Sequence, residues 1–541
     1  MNLRQCLIKN SGVQLSMMNY KVLITTSGIG QRLGKLTKYT NKALVRIGKK
    51  PAISYIVEKY PKDTNFVITL GYFGDQVKDF LSLAYPDRNF EFIQVGKFDG
   101  EGSSLGYSML QAKDALQCPF IYHASDTIID AVPPLPDKNW IGVFKGNDSS
   151  QYATWKIVGN ENLIFNDKGA IDFDYIHIGL VGINDYEKYW STLENLYNEN
   201  PNNSALNDCD TIVEMIKTNS IFGITKFPVW QDIGNTAALQ HARETAPDAF
   251  QNLDKLKEDI FLFENFVIKF FYDEKTIKKR VERANILSGL VPEMQGLTKN
   301  FYRYEYVKGN LYADIANPDD FSNFLNWAKE NLWTKTEGVS DEEFKKASLH
   351  FYKDKTEERI NKFLDENSIK DEKQIINGLE VLAVSDLLKL IDFDWLSDAS
   401  QYRIHGDFIL DNIIKTADSY CLIDWRQDFG GLLKSGDIYY DLAKLNHNLT
   451  VNHDIIHKDL FTINVKEDGS VECDILVKST LRDCHKVLFN FLEKEGFDKK
   501  KVSMLTALIW INMSPLHHHP FNIFLFYFGK YHLYRAIKDT D

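Results

Sequence analysis

Short runs of β-branched and aromatic residues alternate with amphipathic stretches between Tyr20 and about Arg243. The runs that predict strands are KVLITTS, NFVITLGYF, FEFIQVG and FIYHASD. The stretches that predict helices are PAISYIVEKY, DQVKDFLSLAY and SSLGYSMLQAKDAL. This alternation is typical of βαβ crossovers, so we predict an α/β region with a mostly parallel sheet. Ligands of such sheets bind beyond the carboxyl ends of the strands.

The pattern changes within TAPDAFQNLDKLKED, and we place a domain boundary at about 246–256. Beyond it, DIFLFEN, FVIKFFY and FYRYEYVKG predict strands, and TIKKRVERANILSGL predicts a helix. The rest of the chain reads as mostly helical. One interruption, HGDFILDNIIKTADSYCLIDW, predicts a loop followed by a small hairpin. We therefore predict an extension over 1–19 and domains over 20–250 and 251–541.

Composition excludes several classes of protein. A chain of 541 residues exceeds a single core, and two to four domains are expected. The net charge of −12 argues against a nucleic-acid partner, which needs a basic surface. Six scattered cysteines without a CxxC pair suggest neither disulfides nor zinc, so we expect a cytoplasmic protein. The apolar run VSMLTALIWINM is shorter than the ~20 residues of a membrane span, and no membrane partner is predicted.

A glycine-containing turn follows the first predicted strand. Ser27, Gly28 and Gly30 form it, and the cations Arg32 and Lys42 follow. Glycines let backbone N–H groups approach phosphates, and the cations can neutralise phosphate charge. The turn is therefore a candidate nucleotide-binding loop.

Two carboxylates accompany this turn. Asp126 ends the strand-like run FIYHASD, and Asp232 lies in VWQDIGNTAALQHA before a predicted helix. Carboxylates beside bound phosphates are the usual ligands of Mg²⁺. The sequence therefore suggests a Mg²⁺ ion held between Asp126, Asp232 and a triphosphate.

With these motifs in this order, residues 20–243 resemble the sugar-phosphate nucleotidylyltransferases, and the resemblance implies a Rossmann-like nucleotidyltransferase domain. It implies that Arg32 and Lys42 grip the NTP phosphates and act catalytically, and that Asp126 and Asp232 carry the metal. Gly102 and Ser103, in EGSSLGYSM, would contact the base. Lys168 would bind the phosphate of the substrate. The chain departs from the family in having Thr26-Ser27-Gly28 for Ala-Ala-Gly and Asn41 for proline.

The strongest local signal is HGDFILDN followed by CLIDW. Asp407 and Asn412 lie five residues apart in a predicted loop, and Asp424 ends the following hairpin. Kinases place a catalytic carboxylate and two Mg²⁺ ligands in this way. The segment resembles the aminoglycoside and choline kinases. The resemblance implies that Asp407 orients or deprotonates the acceptor hydroxyl and that Asn412 and Asp424 hold Mg²⁺.

The same resemblance covers about 256–541 and implies a bilobal protein-kinase-like (α+β) domain, with an N-lobe over 256–312 and a helical C-lobe over 313–541. Lys269 would contact the ATP phosphates, with Glu282 as its partner on the next helix. The hairpin LKEDIFLFENF lacks the glycines of a protein-kinase phosphate loop.

We interpret the run His517-His518-His519 chiefly as part of a packed loop. The alternatives are a polar wall of the pocket that binds the acceptor of the kinase and a metal site. The role of the three histidines stays open.

Together the two resemblances imply a bifunctional enzyme that phosphorylates a sugar with ATP and then transfers a nucleotidyl group to it from a second NTP, which is CTP, UTP, GTP or dTTP. The expected product is an activated sugar for surface polysaccharide such as capsule. The alternatives are a choline, ethanolamine or polyol kinase fused to a CTP-dependent cytidylyltransferase, and one half acting as a non-catalytic binding module. A homo-oligomer is compatible with the sequence.

Overall fold

The computed structural model describes residues 19–159, 162–246 and 255–538. The chain forms two compact units. The first unit holds the residues up to Phe263 together with 267–272 and 297–301, and the second holds 264–266, 273–296 and the residues from Tyr302 onward. The predicted extension, apart from Asn19, and most of the predicted boundary at 246–256 lie outside the described residues.

The first unit contains strands β1 to β13 and helices α1 to α6. The strands are Lys21–Thr25, Asn65–Leu70, Asn89–Gln94, Phe120–Ala124, Thr127–Ile129, Trp140–Phe144, Thr154–Val158, Asn162–Asn166, Tyr175–Ile183, Gly223–Lys226, Trp230–Asp232, Glu258–Leu262 and Phe266–Phe271, of which Phe266 belongs to the second unit. The helices are Ala52–Val57, Gly74–Ala84, Leu105–Leu110, Tyr186–Glu199, Asp208–Lys217 and Thr236–Thr245. Three short 3-10 helices are Gln31–Thr37, Lys42–Leu44 and Lys113–Leu116.

The main sheet has nine strands, and its central path runs β10-β6-β9-β4-β1-β2-β3. The predicted strands and crossover helices are confirmed, with β1 parallel to both β2 and β4. The sheet is mixed: β10, β6, β4, β1, β2 and β3 run in one direction, as predicted, whereas β9 runs antiparallel to β4, β6 and β7. Strand direction depends on which neighbour a strand pairs with, and a single run of apolar residues does not specify this.

The core of the first unit packs against both faces of this sheet. Strand residues such as Leu23, Val67 and Phe120 are fully buried, and helix α4 adds Trp190, whose ring stacks on Phe120 at 5.1 Å. Three successive residues of β1, Val22, Leu23 and Ile24, are fully buried, so the centre of the sheet is covered on both faces.

Strands β12 and β13 form an antiparallel hairpin with Leu262 opposite Val267. Residues of this hairpin pack on the rest of the first unit: Phe261 lies edge-to-face on Phe80 of α2, with ring centroids 5.4 Å apart. The side chain of Arg46 donates to Asp259 at 2.9 Å between Nε and Oδ1. This hairpin is thus part of the first unit's packing.

The remaining elements are strands β14 to β24 and helices α7 to α18. The strands are Met294–Leu297, Phe301–Glu305, Asn310–Leu311, Gln374–Ile376, Leu379–Val381, Gln401–Tyr402, Ile413–Lys415, Tyr420–Leu422, Gly436–Asp437, Phe461–Val465 and Val471–Ile475. The helices are Glu274–Ile286, Tyr312–Ile315, Pro318–Asn331, Asp341–Leu349, Lys355–Asn367, Val384–Leu390, Phe393–Leu396, Ile438–Thr450, His453–His457, Ser479–Glu495, Lys499–Met513 and Phe521–Lys538. A π-helical turn, His350–Asp354, joins α10 to α11, and 3-10 turns occupy Leu410–Asn412 and Ser514–Leu516.

The second unit is mostly helical, as predicted, and the hairpin expected after the HGDFILDN loop is formed by β20 and β21. Its core is built by α14, α17 and α18, which bury residues such as Leu445, Leu508 and Phe524. Among the described residues, no helix is both long and apolar enough to cross a bilayer.

Candidate active sites

A cavity of about 560 Å³ opens in the first unit beyond the carboxyl ends of β1 and β4. Eight of the residues predicted from the sequence line it: Ser27, Gly28, Arg32, Lys42, Ser103, Asp126, Lys168 and Asp232. Two more, Gly30 and Gly102, lie outside its lining and have φ of +72° and +78°. The structure thus gathers eight of the ten predicted N-terminal residues around one cavity.

The turn after β1 places Lys42 close to the glycines. A methyl group added to Gly30 would lie 2.9 Å from Cβ of Lys42, so only glycine allows this approach. Asn41 is fully buried, donates to the carbonyl of Thr26 at 2.8 Å and caps the 3-10 turn that begins at Lys42. Asn41 therefore fixes the position of Lys42, a role that sequence reasoning missed.

Strand pairing brings the two carboxylates together. Strands β5 and β11 are antiparallel with Asp232 opposite Thr127, and the amide of Ile233 donates to the carbonyl of Asp126 at 3.0 Å. The ammonium of Lys42 lies 3.2 Å from Oδ2 of Asp126. Asp126, Asp232 and Lys42 consequently face the same part of the cavity.

Gly234 marks the point on which these charges converge. A methyl group added there would lie 2.9 Å from Nη2 of Arg32, 3.0 Å from Oδ1 of Asp232 and 3.3 Å from Oδ2 of Asp126. Two carboxylates and a guanidinium thus surround a space that a single carbon would fill. Carboxylate oxygens of this kind suit a hard cation such as Mg²⁺, so the residues present fit the metal suggested by the sequence.

The two carboxylates differ in their affinity for protons. Burial raises the pKa of Asp126, but Lys42 and Arg32 more than offset this, so that the net pKa is lowered. Burial and then the charge of Asp126 raise the pKa of Asp232. Tyr152 opposes that rise, because its hydroxyl donates to Oδ2 of Asp232 at 3.0 Å. Tyr152 is a second residue that sequence reasoning missed.

The lining of the cavity also includes Lys168 and a buried polar cluster. His177, Asp208 and Cys209 form a grouping that could hold a metal ion. Nδ1 of His177 accepts from Trp155 at 3.2 Å, and Nε2 lies 2.9 Å from Asp208. Because both ring nitrogens already have protein partners, we interpret the cluster as a polar wall of the cavity.

In the second unit the HGDFILDN loop brings Asp407 and Asn412 together. Nδ2 of Asn412 donates to the carbonyl of Asp407 at 2.9 Å and to its Oδ2 at 3.2 Å. The ammonium of Lys444, on α14, lies 2.7 Å from Oδ1 of Asp407. Burial acts to raise the pKa of Asp407, but Lys444 outweighs it and holds this pKa at about 2. Asp407 is therefore ionised, and sequence reasoning missed Lys444.

Asp424 follows β21 with a φ of +58°, and its Oδ1 accepts from Nη1 of Arg280 at 2.8 Å. The amide of Ile423, the residue before it, donates to the carbonyl of Asn412 at 2.9 Å, which ties the hairpin to the loop. The loop itself is held by Asp441, whose carboxylate accepts from the amides of His405 at 2.8 Å and Gly406 at 2.7 Å. Carboxylate and amide oxygens of Asp424 and Asn412 suit Mg²⁺.

The other predicted residues are placed as follows. Lys269 is buried on β13 within the first unit, and Glu282 is exposed on α7 within the second unit, so their pairing stays a prediction. His518 and His519 are exposed, and the ring of His517 meets Phe521 edge-to-face at 5.1 Å.

No protein-family model matches the chain. The comparisons find similarity to nucleotidyltransferases over about the N-terminal 40% of the chain. A choline-phosphate cytidylyltransferase of Streptococcus pneumoniae is 30% identical over 111 residues, which are 20% of this chain and 44% of the relative. The bifunctional protein GlmU of Methanococcus aeolicus is 25% identical over 217 residues, which are 39% of this chain and 51% of the relative. The chain thus spans about half the length of the curated relatives it matches.

Among solved structures, the CTP:phosphocholine cytidylyltransferase LicC of Streptococcus pneumoniae aligns with a TM-score of 0.35 and 21% identity, over 42% of this chain and 99% of that chain.

Proposed function

We propose that the first unit transfers a nucleotidyl group from an NTP to the phosphate of a small molecule and releases pyrophosphate. The observation that carries this proposal is the convergence of Arg32, Asp126 and Asp232 on the space beside Gly234, with Lys42 at 3.2 Å from Asp126. A phosphate oxygen of the acceptor attacks the α-phosphorus of the NTP, and the bond to the pyrophosphate oxygen breaks. This chemistry needs positioned charge rather than a protein nucleophile.

Each residue has a defined task in this proposal. Arg32 and Lys42 bind the triphosphate and neutralise charge that develops on the leaving pyrophosphate. Asp126 and Asp232 would hold Mg²⁺, which when bound screens the phosphate charges. Lys168 and Ser103 are both on the cavity wall. Lys168 binds the phosphate of the acceptor, and Ser103, with the neighbouring Gly102, contacts the base.

The second candidate function is phosphoryl transfer from ATP to a small-molecule hydroxyl by the second unit. The ionised Asp407, ordered by Asn412 and Lys444, favours it. Asp407 would orient the acceptor hydroxyl and take its proton as the oxygen attacks the γ-phosphorus and ADP leaves. Asn412 and Asp424 would hold Mg²⁺, and Lys269 with Glu282 would contact ATP.

The two reactions form a sequence, because phosphoryl transfer by the second unit would produce the phosphorylated acceptor that nucleotidyl transfer by the first unit consumes. We propose a sugar as the substrate, which gives a nucleotide-activated sugar for surface polysaccharide. The similarity to a choline-phosphate cytidylyltransferase supports the alternative of a choline, ethanolamine or polyol route. A non-catalytic second unit is the remaining alternative.

Product identification tests these proposals. The full chain is incubated with Mg²⁺, one NTP at a time, and either sugar 1-phosphates or phosphocholine, and products are identified by mass spectrometry. We expect pyrophosphate and one nucleotide-linked product. If no pair of substrates releases pyrophosphate, the proposal for the first unit is wrong. ATP with unphosphorylated sugars, choline or polyols tests the second unit separately, through ADP release.

A further inference from the structure

A second cavity, of about 140 Å³, lies inside the second unit, and one of its lining residues, Lys444, pairs with Asp407. Helices α11, α14 and α17 form most of its wall, and the π-helical turn, Arg426 and Leu516 complete it. Helix α11 presents Lys355 and Arg359, four residues apart, and α14 presents Tyr440 and Lys444 with the same spacing. Residues four apart lie on one face of a helix, so both pairs point the same way. We call this space the cationic pocket.

The lysine and arginine side chains in the lining of the pocket are not balanced by any acidic side chain among its lining residues. Four of its lining residues are basic, namely Lys355, Arg359, Arg426 and Lys444, and none of the lining residues, all within the described chain, is acidic. The nearby carboxylates have cationic partners: Asp407 pairs with Lys444 at 2.7 Å, and Asp428 pairs with Lys279 at 2.7 Å. Cations gathered in a partly buried space are unfavourable unless an anion joins them.

The cations are held in place by aromatic and backbone partners. The ammonium of Lys355 lies 3.9 Å above the centre of the Phe351 ring, and the guanidinium of Arg426 lies 5.0 Å from the same ring. Nη1 of Arg359 donates to the carbonyl of Asn512 at 3.1 Å. These contacts hold the three side chains in place without supplying a negative charge.

The pKa of Lys355 is consistent with the clustering of basic side chains in the pocket. Burial, and then the charges of Arg426, Arg359 and Lys444, lower the pKa of Lys355 to about 5. Burial is the largest of these causes, and the three neighbouring basic side chains act in the same direction. The volume is also well above the roughly 10–15 Å³ that one water molecule needs.

We propose that the cationic pocket binds the anionic group, a carboxylate or a phosphate, of the small molecule whose hydroxyl faces Asp407. Apolar side chains, among them Leu505, Leu508 and Met513, line the rest of the pocket and contact the body of the ligand. A quaternary ammonium or an amine is repelled. The role of this ligand as phosphoryl acceptor rests on the proposed phosphotransferase function of the second unit, whereas its binding does not.

Binding is measured by calorimetry on the full chain with glucuronate, glucose 6-phosphate, glucose and choline as probes. Glucuronate carries a carboxylate and glucose 6-phosphate carries a phosphate, so these two probes show which anionic group the pocket binds. Test variants are Arg359→Gln and Lys355→Met, and Arg359→Lys keeps the charge. The matched control is Lys486→Gln, which removes an exposed lysine of the same unit.

We expect at least one anionic probe to bind, and its affinity to fall about tenfold or more in Arg359→Gln and Lys355→Met but not in Lys486→Gln, with partial recovery in Arg359→Lys. Thermal unfolding checks that the variants are folded, and either variant alone suffices if the other does not fold. The proposal is overturned if neither anion binds, if both test variants bind as the wild type does, or if choline binds more tightly than the anions. Binding without any ADP release would retain the pocket and reject the phosphotransferase function.

Discussion

The ammonium of Lys42 lies 3.2 Å from Oδ2 of Asp126, although 84 residues separate the two in the chain. The pair joins the glycine turn after β1 to the end of β4, the next strand across in the sheet. It also sets the charge of Asp126, whose pKa stays below that of an ordinary aspartate in spite of burial. A carboxylate that is ionised at every relevant pH is available to a metal ion throughout.

Replacing Asp126 by asparagine removes this charge while keeping the shape of the side chain. We expect pyrophosphate release by the first unit to fall by about 100-fold or more, because charge stabilisation supplies most of the rate. The control is Asp87→Asn, which removes an exposed aspartate of the same unit. A variant that released pyrophosphate at the wild-type rate would show that Asp126 does not belong to the active site.

Gly234→Ala tests the space on which Arg32, Asp126 and Asp232 converge. The added methyl group would lie about 3 Å from all three side chains. We expect the groups to move apart and pyrophosphate release to fall on the order of 10–100-fold. Gly223→Ala is the matched control, because its nearest neighbour would lie at 3.8 Å. Equal rates for both variants would mean that this space takes no part in catalysis.

Lys444→Met separates the charge of Lys444 from its packing. The variant leaves Asp407 without its cation, so the pKa of Asp407 rises and ADP release falls. We expect the free energy of unfolding to drop by about 1–2 kcal/mol, less than the ~3–5 kcal/mol of a fully buried pair. The discount applies because the side chain of Asp407 is 36% exposed.

The double variant Lys444→Met/Asp407→Asn completes this experiment. We expect it to recover most of the lost stability, measured by denaturant unfolding, and to remain inactive. Recovery of activity in the double variant would exclude Asp407 from the reaction.

Anion binding in the cationic pocket should take up a proton. With its pKa lowered to about 5, Lys355 is largely neutral at pH 7, and a bound anion raises this pKa by favouring the ammonium. At a pH between the pKa of Lys355 in the free protein and its higher pKa in the complex, binding of the anion adds a proton to Lys355. The affinity for the anion therefore falls as the pH rises through this range. The titratable or charged groups around Lys355 are Arg359, Arg426, Lys444, Asp428, Tyr352 and Tyr440.

Calorimetry with glucuronate at pH 7, in buffers of different ionisation enthalpy, measures this proton uptake. We expect a clear uptake in the wild type and none in Lys355→Met. An enthalpy that does not vary with the buffer would show that Lys355 keeps the same charge in both states.

The strands and helices near the predicted sites could be read from the sequence because their signals are local. KVLITTS and FIYHASD became β1 and β4, and the residues at their ends, Ser27 and Asp126, line one cavity. The antiparallel direction of β9 could not be read, since it depends on the neighbours that the whole sheet supplies.

The missed residues share a different cause. Lys444 and Arg359 lie on helices, where a cation is normally solvent-facing, and only tertiary packing turns them towards a cavity. Asn41 stands where the sugar-phosphate nucleotidylyltransferases have proline. The family's motif therefore could not indicate the hydrogen bonds that the Asn41 side chain makes to the backbone. Partners of charged groups that are distant in sequence appear only in the folded chain.

The packing of the β12–β13 hairpin bears on how the protein can be cut in two. Phe80 is fully buried and Phe261 is 1% exposed, so a polypeptide that stopped near residue 250 would leave the Phe80 ring without this cover. Bare aromatic surface of this kind promotes aggregation. A loss of enzymatic activity in such a fragment would then reflect its precipitation and not the absence of a catalytic residue. A gene divided after Tyr272 keeps this aromatic contact within the first fragment.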